Sequence, residues 1–514
     1  MQLLETVKGA YYDSVTLMLV AKELDKLDGV SSSSLSMGTD ANYRIMEGGG
    51  FDLSGVDASP ADLIIGVRGA DPAVLAEAIA AAKEYLSNPP WKKDSGLSDY
   101  RPKSLGGAVS VLPEANLAII SVAGRYAGDL AAECIEGGKN VMIFSDNVPL
   151  EKEIDLKRRA AERGLLVMGP DCGTVVIRGK ALGMANAVPA GPVGIVAAAG
   201  TGLQEVHVQL GRRGVGTMHA IGVGGRDVKS DVGGLMTLLA MEALARDDEI
   251  EALLVVGKPP AADVERKILD LAKRAGKPVV FGFVGGAAKG DEGNIYLCAE
   301  LEESAAVTAA VVNKTDPSEA RRQVHAAAER KVDEARERVK PRKGRLRGLF
   351  TGGTLCYEAQ LIASRTLGPV WSNAPLSGEM KLSQSLISKD HTIVDYGEDE
   401  FTQGRLHPMI DGSLRNERII AEAVDPAVGV ILLDLVLGYG CNRDPASETA
   451  KAAAEAKKVS GGRVAFVASV CGTDADPQNA SEQIKKLEDA GVFVCSSNAQ
   501  ASRVAASLID QEAD

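Results

Sequence analysis

Short continuous apolar runs that stop at a glycine or a polar loop recur through most of this chain, and nothing else in it restricts the fold as much. LAIISVAG, NVMIFSD, LLVMGPDCGT, VGIVAAAGTGLQE, EALLVVGKPP and PVVFGFVGG are separated by stretches with helical spacing, and VGVILLDLVLGYG and VAFVASVCGT repeat the pattern later. A strand exposed on one face alternates apolar and polar side chains, whereas a strand covered on both faces can be apolar throughout. Helices on both faces go with parallel strands, so the pattern predicts an α/β protein built of several parallel-sheet modules. Ligand loops in such sheets lie beyond the C-terminal strand ends, which directs attention to residues 123–126, 145–148 and 169–174.

At 514 residues the chain exceeds what one core can hold, and roughly 100–200 residues per domain gives three or four units. The first, residues 1–105, reads as a small α/β unit. It ends in SNPPWKKDSGLSDYRPK (87–103), an aperiodic loop or linker. Residues 106–190 form the second unit, 191–315 the third and 345–514 the fourth. Between the last two, residues 316–344 are rich in Ala, Glu, Arg and Lys and are expected as an exposed helix and basic linker. The third and fourth units share an order of strand, small-residue turn and helix, which predicts a structural repeat.

A net charge of −13 and a pI near 5.1 disfavour nucleic-acid and anionic-membrane partners. No segment approaches the roughly 20 apolar residues that span a bilayer, so a cytoplasmic location is expected. The seven cysteines are widely spaced without metal-ligand spacing and read as reduced, mostly buried thiols; no metal site is expected.

The sharpest chemical signal is a pair of segments, AAAGTGLQE (197–205) and FTGGTLCYE (350–358). In each an apolar strand runs through glycine and threonine into a helix, leaving the first helical N–H groups free and the positive end of the helix dipole at the loop. One such turn needs glycine for geometry alone; two in corresponding positions suggest an anion cradle. Gly200, Thr201, Gly202, Gly352, Gly353 and Thr354 are the candidate phosphate ligands. If the modules pack about a pseudo-twofold, both helices aim at one anion.

Of the five histidines, His207 and His325 lie on helical faces and read as packed or solvated, and His391 precedes a strand. His219, ahead of the GVGGRD loop, and His407, in GRLHPMID, are better placed to move protons. Asp395, Glu398, Asp399 and Glu400 follow a strand and form either a solvated acidic turn or part of a site. Arg226, Lys258 and Arg405 supply the opposite charge that a carboxylate or phosphate would need.

Residues 115–306, through GPDCGT, VGIVAAAGTGLQE and GVGGRD, resemble the α subunit of succinyl-CoA synthetase. Residues 350–509, through FTGGTL, VDYGED and ILLDLVLGYG, are similar to the CoA-ligase domain of its β subunit. The whole order, with VKGAYYDSV, SMGTDAN, RLHPMIDGSLRN and SVCGTDADPQ, resembles the FdrA family. That resemblance implies a Rossmann-like CoA-binding-type domain at 106–190 followed by two flavodoxin-like ligase modules. It also implies a subunit of an oxamate carbamoyltransferase of allantoin breakdown, acting with two further protein subunits: oxalurate and phosphate would give oxamate and carbamoyl phosphate, with no cofactor required.

On that reading His407, then His219, would protonate the leaving nitrogen, Asp399 would join them, and Arg226 or Arg405 would clamp the substrate carboxylate. Succinyl-CoA synthetase carries a phosphorylated histidine after the strand matched here by VVFGFVGG, but AAKGDEGNIYLCAE follows it without one, and the β-like portion begins directly at its ligase module. A CoA site remains open at Gly124, Arg125, Ser145 and Asn147. The alternatives are an acyl-CoA synthetase or CoA transferase using partner-supplied nucleotide, and a non-catalytic scaffold subunit; a homo-oligomer is also open.

Overall fold

The computed structural model describes residues 1–10, 12, 14–89, 102, 104–286, 290–403 and 405–510. The linker expected at 87–103 falls largely outside them. The described residues form four sheets and divide into two compact units. One unit comprises residues 1–115, 121–127 and 403–406; the other holds 116–120, 128–402 and 407–514.

In the first unit β1 (Gln2–Val7), α1 (Ser14–Leu24), β2 (Val30–Met37), α2 (Asp40–Gly48), β3 (Leu63–Gly69) and α3 (Pro72–Ser87) alternate. The sheet order is β1-β3-β2, with both pairings antiparallel. Sequence signals start the helices where expected: Thr39 accepts the Asn42 amide, and Asp71 caps α3 with Pro72 in its first turn. Leu63, Ile65 and Val67 form one face of β3 and close a core with Leu17, Val20, Leu24, Leu75 and Ile79. The short α4 (Leu105–Val111) follows.

β4 (Leu117–Ile120), α5 (Gly124–Glu136), β5 (Asn140–Ile143), α6 (Leu150–Glu162) and β6 (Val167–Met168) build a three-stranded parallel sheet. The next strands, β7 (Thr174–Ile177) and β8 (Lys180–Gly183), leave that sheet: their hairpin adds antiparallel to the edge of the following one. That sheet contains β9 (Val193–Ala197), β10 (Thr217–Gly222), β11 (Ala252–Gly257), β12 (Val279–Phe283) and β13 (Ile295–Cys298), in the order β13-β12-β11-β9-β10-β7-β8. Its helices are α7 (Gly200–Arg212), α8 (Leu235–Arg246), α9 (Ala262–Arg274) and α10 (Leu301–Val312).

After α11 (Pro317–Arg338) comes the last sheet, β15-β14-β16-β17-β18, parallel throughout. It is made by β14 (Arg345–Phe350), α12 (Gly353–Leu367), β15 (Thr392–Asp395), α13 (Asp399–Thr402), α14 (Ser413–Val424), β16 (Val428–Val436), α15 (Pro445–Val459), β17 (Ala465–Cys471), α16 (Ala480–Asp489), β18 (Phe493–Cys495) and α17 (Asn498–Ser507). Every residue of β9, β11, β16 and β17 is buried, as continuous apolar runs require. The α/β class with several parallel sheets is therefore as the sequence predicts.

The two ligase-like modules do not have separate cores. One apolar cluster runs from Val176 through Leu203, Val206, Leu355 and Ala359 to Val504 and Ile509. Leu203 and Leu355 each lose all exposure there, worth roughly 1.5–3 kcal/mol apiece. Nor is α11 wholly exposed: Val324, Ala328 and Ala335 are buried, and it packs on α10 and α17. A polar solvent face with an apolar inner stripe explains why its composition reads as exposed. All seven cysteines are free and buried.

Candidate functional site

The first amides of α7 and α12 have no side-chain cap, because Ala199 and Gly352 stand at the N-cap positions. The two helix openings meet. Thr354 donates its amide to Thr201 Oγ1 at 3.3 Å. A β-carbon on Gly202 would lie 2.8 Å from Thr354 Cγ2, and one on Gly352 would lie 2.8 Å from Thr201 Cγ2. Gly202 and Gly352, expected to let phosphate approach, thus admit the threonine of the opposite helix.

A second correction concerns donors. Asp434, completely buried, accepts the Thr351 amide at 2.7 Å and the Gly352 amide at 2.9 Å, and Thr351 Oγ1 donates to it at 3.1 Å. Arg415 pairs with the same carboxylate at 3.4 Å. The Gly352 amide is therefore spent on the protein, whereas those of Gly200, Thr201 and Gly353 meet no acceptor among the described residues. Gly200 is exposed, and a β-carbon there would touch nothing.

Asp395 ends β15 beside this junction with 3% exposure. Its Oδ1 accepts the Gly397 amide at 2.8 Å, and a β-carbon on Gly353 would lie 2.7 Å from Oδ2. Asn373 grips its backbone from both sides, donating to Asp395 O at 2.8 Å and accepting from Asp395 N at 2.9 Å. Burial pushes the carboxyl up to about 7, with Glu398 and Asp434 adding to the rise against the Gly397 amide and Lys258. Lys258, at the end of β11, lies 4.8 Å above the Tyr357 ring.

His407 converges on the same turn. A β-carbon on Gly397 would sit 2.9 Å from His407 Nε2 and 3.1 Å from Asp395 Oδ1. Met409 donates its amide to His407 Nδ1 at 3.3 Å, which leaves the proton on Nε2. Burial holds the ring down to about 4, so it is neutral near pH 7.

His219 pairs with Gly194 at the start of β9, about 10 Å of strand from its C-terminal end. Its ring lies 3.4 Å from Asp247 and accepts the Arg178 amide, so it stands at the opposite edge of the sheet from the helix openings. Arg226 is held by Glu153 at 2.7 Å and donates to Val148 O at 2.8 Å. Asp399 shares its surroundings with Arg226 and Asp146, and burial followed by Asp146 raises its carboxyl. Ser145 and Asn147 lie in the loop after β5, with Ser145 buried and Asn147 left-handed at φ 54°. Gly124 opens α5, Arg125 stacks on Tyr126 at 4.8 Å, and both, like Arg405, belong to the N-terminal unit. His207 is packed between Thr217 and Asn186, and His325 is exposed, as expected.

The sequence reading missed Asp434 and Asn373 and gave Asp395 no role of its own. A lone carboxylate inside the apolar run VILLDLVL was the available signal for Asp434, because a buried aspartate must be paired or bonded.

Two parallel-sheet modules joined at glycine-opened helices define a CoA-ligase-type architecture, and the CoA-ligase family model matches residues 349–508. The chain belongs to the same family as the uncharacterized protein YahF of Escherichia coli (strain K12), 38% identical over 508 residues that cover 98% of this chain and 97% of that one. Subunit alpha 1 of succinate–CoA ligase [ADP-forming] from Archaeoglobus fulgidus is 27% identical over 176 residues, 34% of this chain and 58% of that subunit. Among solved structures, the apo dinucleotide-forming acetyl-coenzyme A synthetase 1 of Ca. Korarchaeum cryptofilum aligns with 16% identity, covering 82% of this chain and 87% of that one at a TM-score of 0.31.

These matches overturn the carbamoyltransferase expectation: both the C-terminal family and the α-subunit relative are those of CoA ligases. Residues 1–102 match a model described as AllF, heavy metal-associated domain. They contain no cysteine and no histidine, and the loop after β1 is occupied by Asp62, which accepts the Gly9 amide at 2.8 Å and pairs with Lys8 at 3.1 Å. That donor set does not fit a soft metal ion.

Proposed function

We propose that this protein carries out acid–CoA ligase chemistry at the paired helix openings, exchanging an acyl group between CoA and phosphate. The observation that carries the reading is the abutment of α7 and α12, which leaves the amides of Gly200, Thr201 and Gly353 unpaired beside a buried carboxyl of near-neutral pKa. Those amides and the Thr201 hydroxyl would hold phosphate at the positive ends of two helix dipoles. Asp395 would take the proton from the phosphate oxygen as it attacks the thioester carbonyl. The C–S bond breaks, the thiol of CoA recovers the proton, and acyl phosphate leaves. Lys258 would offset the charge that gathers on the phosphate.

The loop after β12 has no histidine in residues 285–298, so the phosphoryl group would depart on the acyl product and a partner subunit would handle nucleotide. Ser145 and Asn147 are the proposed CoA contacts. The test is incubation of the protein with succinyl-CoA or acetyl-CoA and phosphate, trapping acyl phosphate as its hydroxamate. Phosphate-dependent thioester loss that falls at least about tenfold in Asp395→Asn supports the reading. Thioester turnover indifferent to both phosphate and that substitution would sink it.

A further inference from the structure

A cavity of about 370 Å³ opens beyond the end of β15, lined by Asn373, Lys381, Gln384, Ser385, Glu398 and Glu400 among others. Asn373, which lines it, also holds the Asp395 backbone, so the cavity and the proposed acid–base carboxyl share one support. The wall carrying Lys381 is fixed as well. Leu382 donates its amide to Ser372 O at 2.9 Å and buries its side chain, and Ser372 donates back to Met380 O at 3.1 Å.

Charge in the cavity is unevenly committed. Glu400 is tied to Asn373 at 3.1 Å and to Ser385 Oγ at 2.7 and 2.8 Å. Lys381 and Glu398 engage the described residues through their backbones alone, Lys381 N donating to Gly378 O and Glu398 O accepting from Phe401 N, while the Lys381 ammonium and the Glu398 carboxylate have no ion-pair or hydrogen-bond partner among them. One free cation and one free carboxylate therefore face the same small space. An anionic group complements the one and a hydrogen-bond donor, such as an amide or amino N–H, the other. Leu382 contributes the apolar lining, so a long hydrocarbon chain gains little there, and the volume suits a compound of on the order of ten heavy atoms.

We infer that this cavity is a binding site for a small polar carboxylic acid that also bears a hydrogen-bond donor such as an amide or amino N–H, with its carboxylate on Lys381 and its donor on Glu398. Lys381 is thus a specificity-determining residue. The inference goes beyond the acyl-transfer reading and does not depend on it.

Calorimetric titration of the full chain with succinamate, propionate and butanamide tests it, since the latter two lack the N–H donor and the carboxylate respectively. Succinamate should bind at least about tenfold more tightly than either, as expected for two charge-assisted bonds in place of one. Lys381→Met should weaken succinamate and propionate by about tenfold or more, whereas Glu398→Gln should weaken succinamate and leave propionate unchanged. Both side chains are solvent-accessible, and circular-dichroism melts confirm that the variants fold. Equal affinities for the three compounds, no succinamate binding, or succinamate binding that survives Lys381→Met would each overturn the assignment. Lys381-dependent binding without phosphate-dependent thioester loss would instead retain the pocket and remove the acyl-transfer reading.

Discussion

Glu358, on α12 of the C-terminal module, accepts the amide of Leu301 at the start of α10 in the preceding module, at 2.8 Å. The mirror relation holds from the other side. Glu205 on α7 accepts the amide of Asn498, which opens α17, at 3.4 Å. GTGLQE and GTLCYE place the two glutamates at the same step after their glycines, so each module caps a helix of the other. Asn498 also donates to Glu358 Oε2 at 2.8 Å, which ties the two halves of the exchange together.

Burial pushes Glu358 up to about 8, Glu300 adding to the rise, whereas an unfolded chain would leave it at an ordinary 4.5. The folded state therefore keeps a proton that the unfolded state releases, and stability falls as pH rises between those values. Glu358→Gln should remove that contribution. Between about pH 6.5 and pH 8 the melting temperature of the parent should drop more steeply than that of the variant. Parallel slopes would contradict the assignment.

The glycines of the junction separate into two kinds. Gly200→Ala places a methyl group in open space where the anion is proposed to approach, so the melting temperature should hold while phosphate affinity falls about tenfold. Gly352→Ala drives a β-carbon against Thr201 and should cost about 1–3 kcal/mol of stability, read from denaturant midpoints. Reversed outcomes would show that Gly200 is a packing residue and Gly352 a ligand-facing one.

Asp395 should make anion binding pH-dependent. Below about 7 its carboxyl is protonated and can donate to an anion; above, its charge repels one. Sulfate does not titrate in this range, so sulfate affinity measured by calorimetry should decline as pH rises through about 7, and Asp395→Asn should flatten the profile. An unchanged profile in the variant would exclude Asp395 from the anion's surroundings.

Much of the architecture was legible because its causes are local. The apolar runs of β9, β11, β16 and β17 announce strands covered on both faces, and glycine followed by threonine announces an uncapped helix start. The exit of β7 and β8 to the neighbouring sheet was not legible, because a four-residue strand carries no mark of the edge it will join. Asp399 and His219 looked suitable by their neighbours in sequence; the register of β10 put His219 at the wrong end of its sheet.

By itself the sequence determined that this is a protein of several parallel α/β modules with two matched helix openings, since burial on two faces and free terminal amides follow from residues close together in the chain. Tertiary structure alone decided which of those amides remain available and which acid holds its proton near neutrality. Thr351 loses its amide to Asp434, 83 residues away, and Thr354 gives its own to Thr201, 153 residues away. The pKa of Asp395 is set by the same kind of encounter, because desolvation depends on which surfaces close over a carboxyl, and those surfaces come from segments that meet only when the two modules share a core.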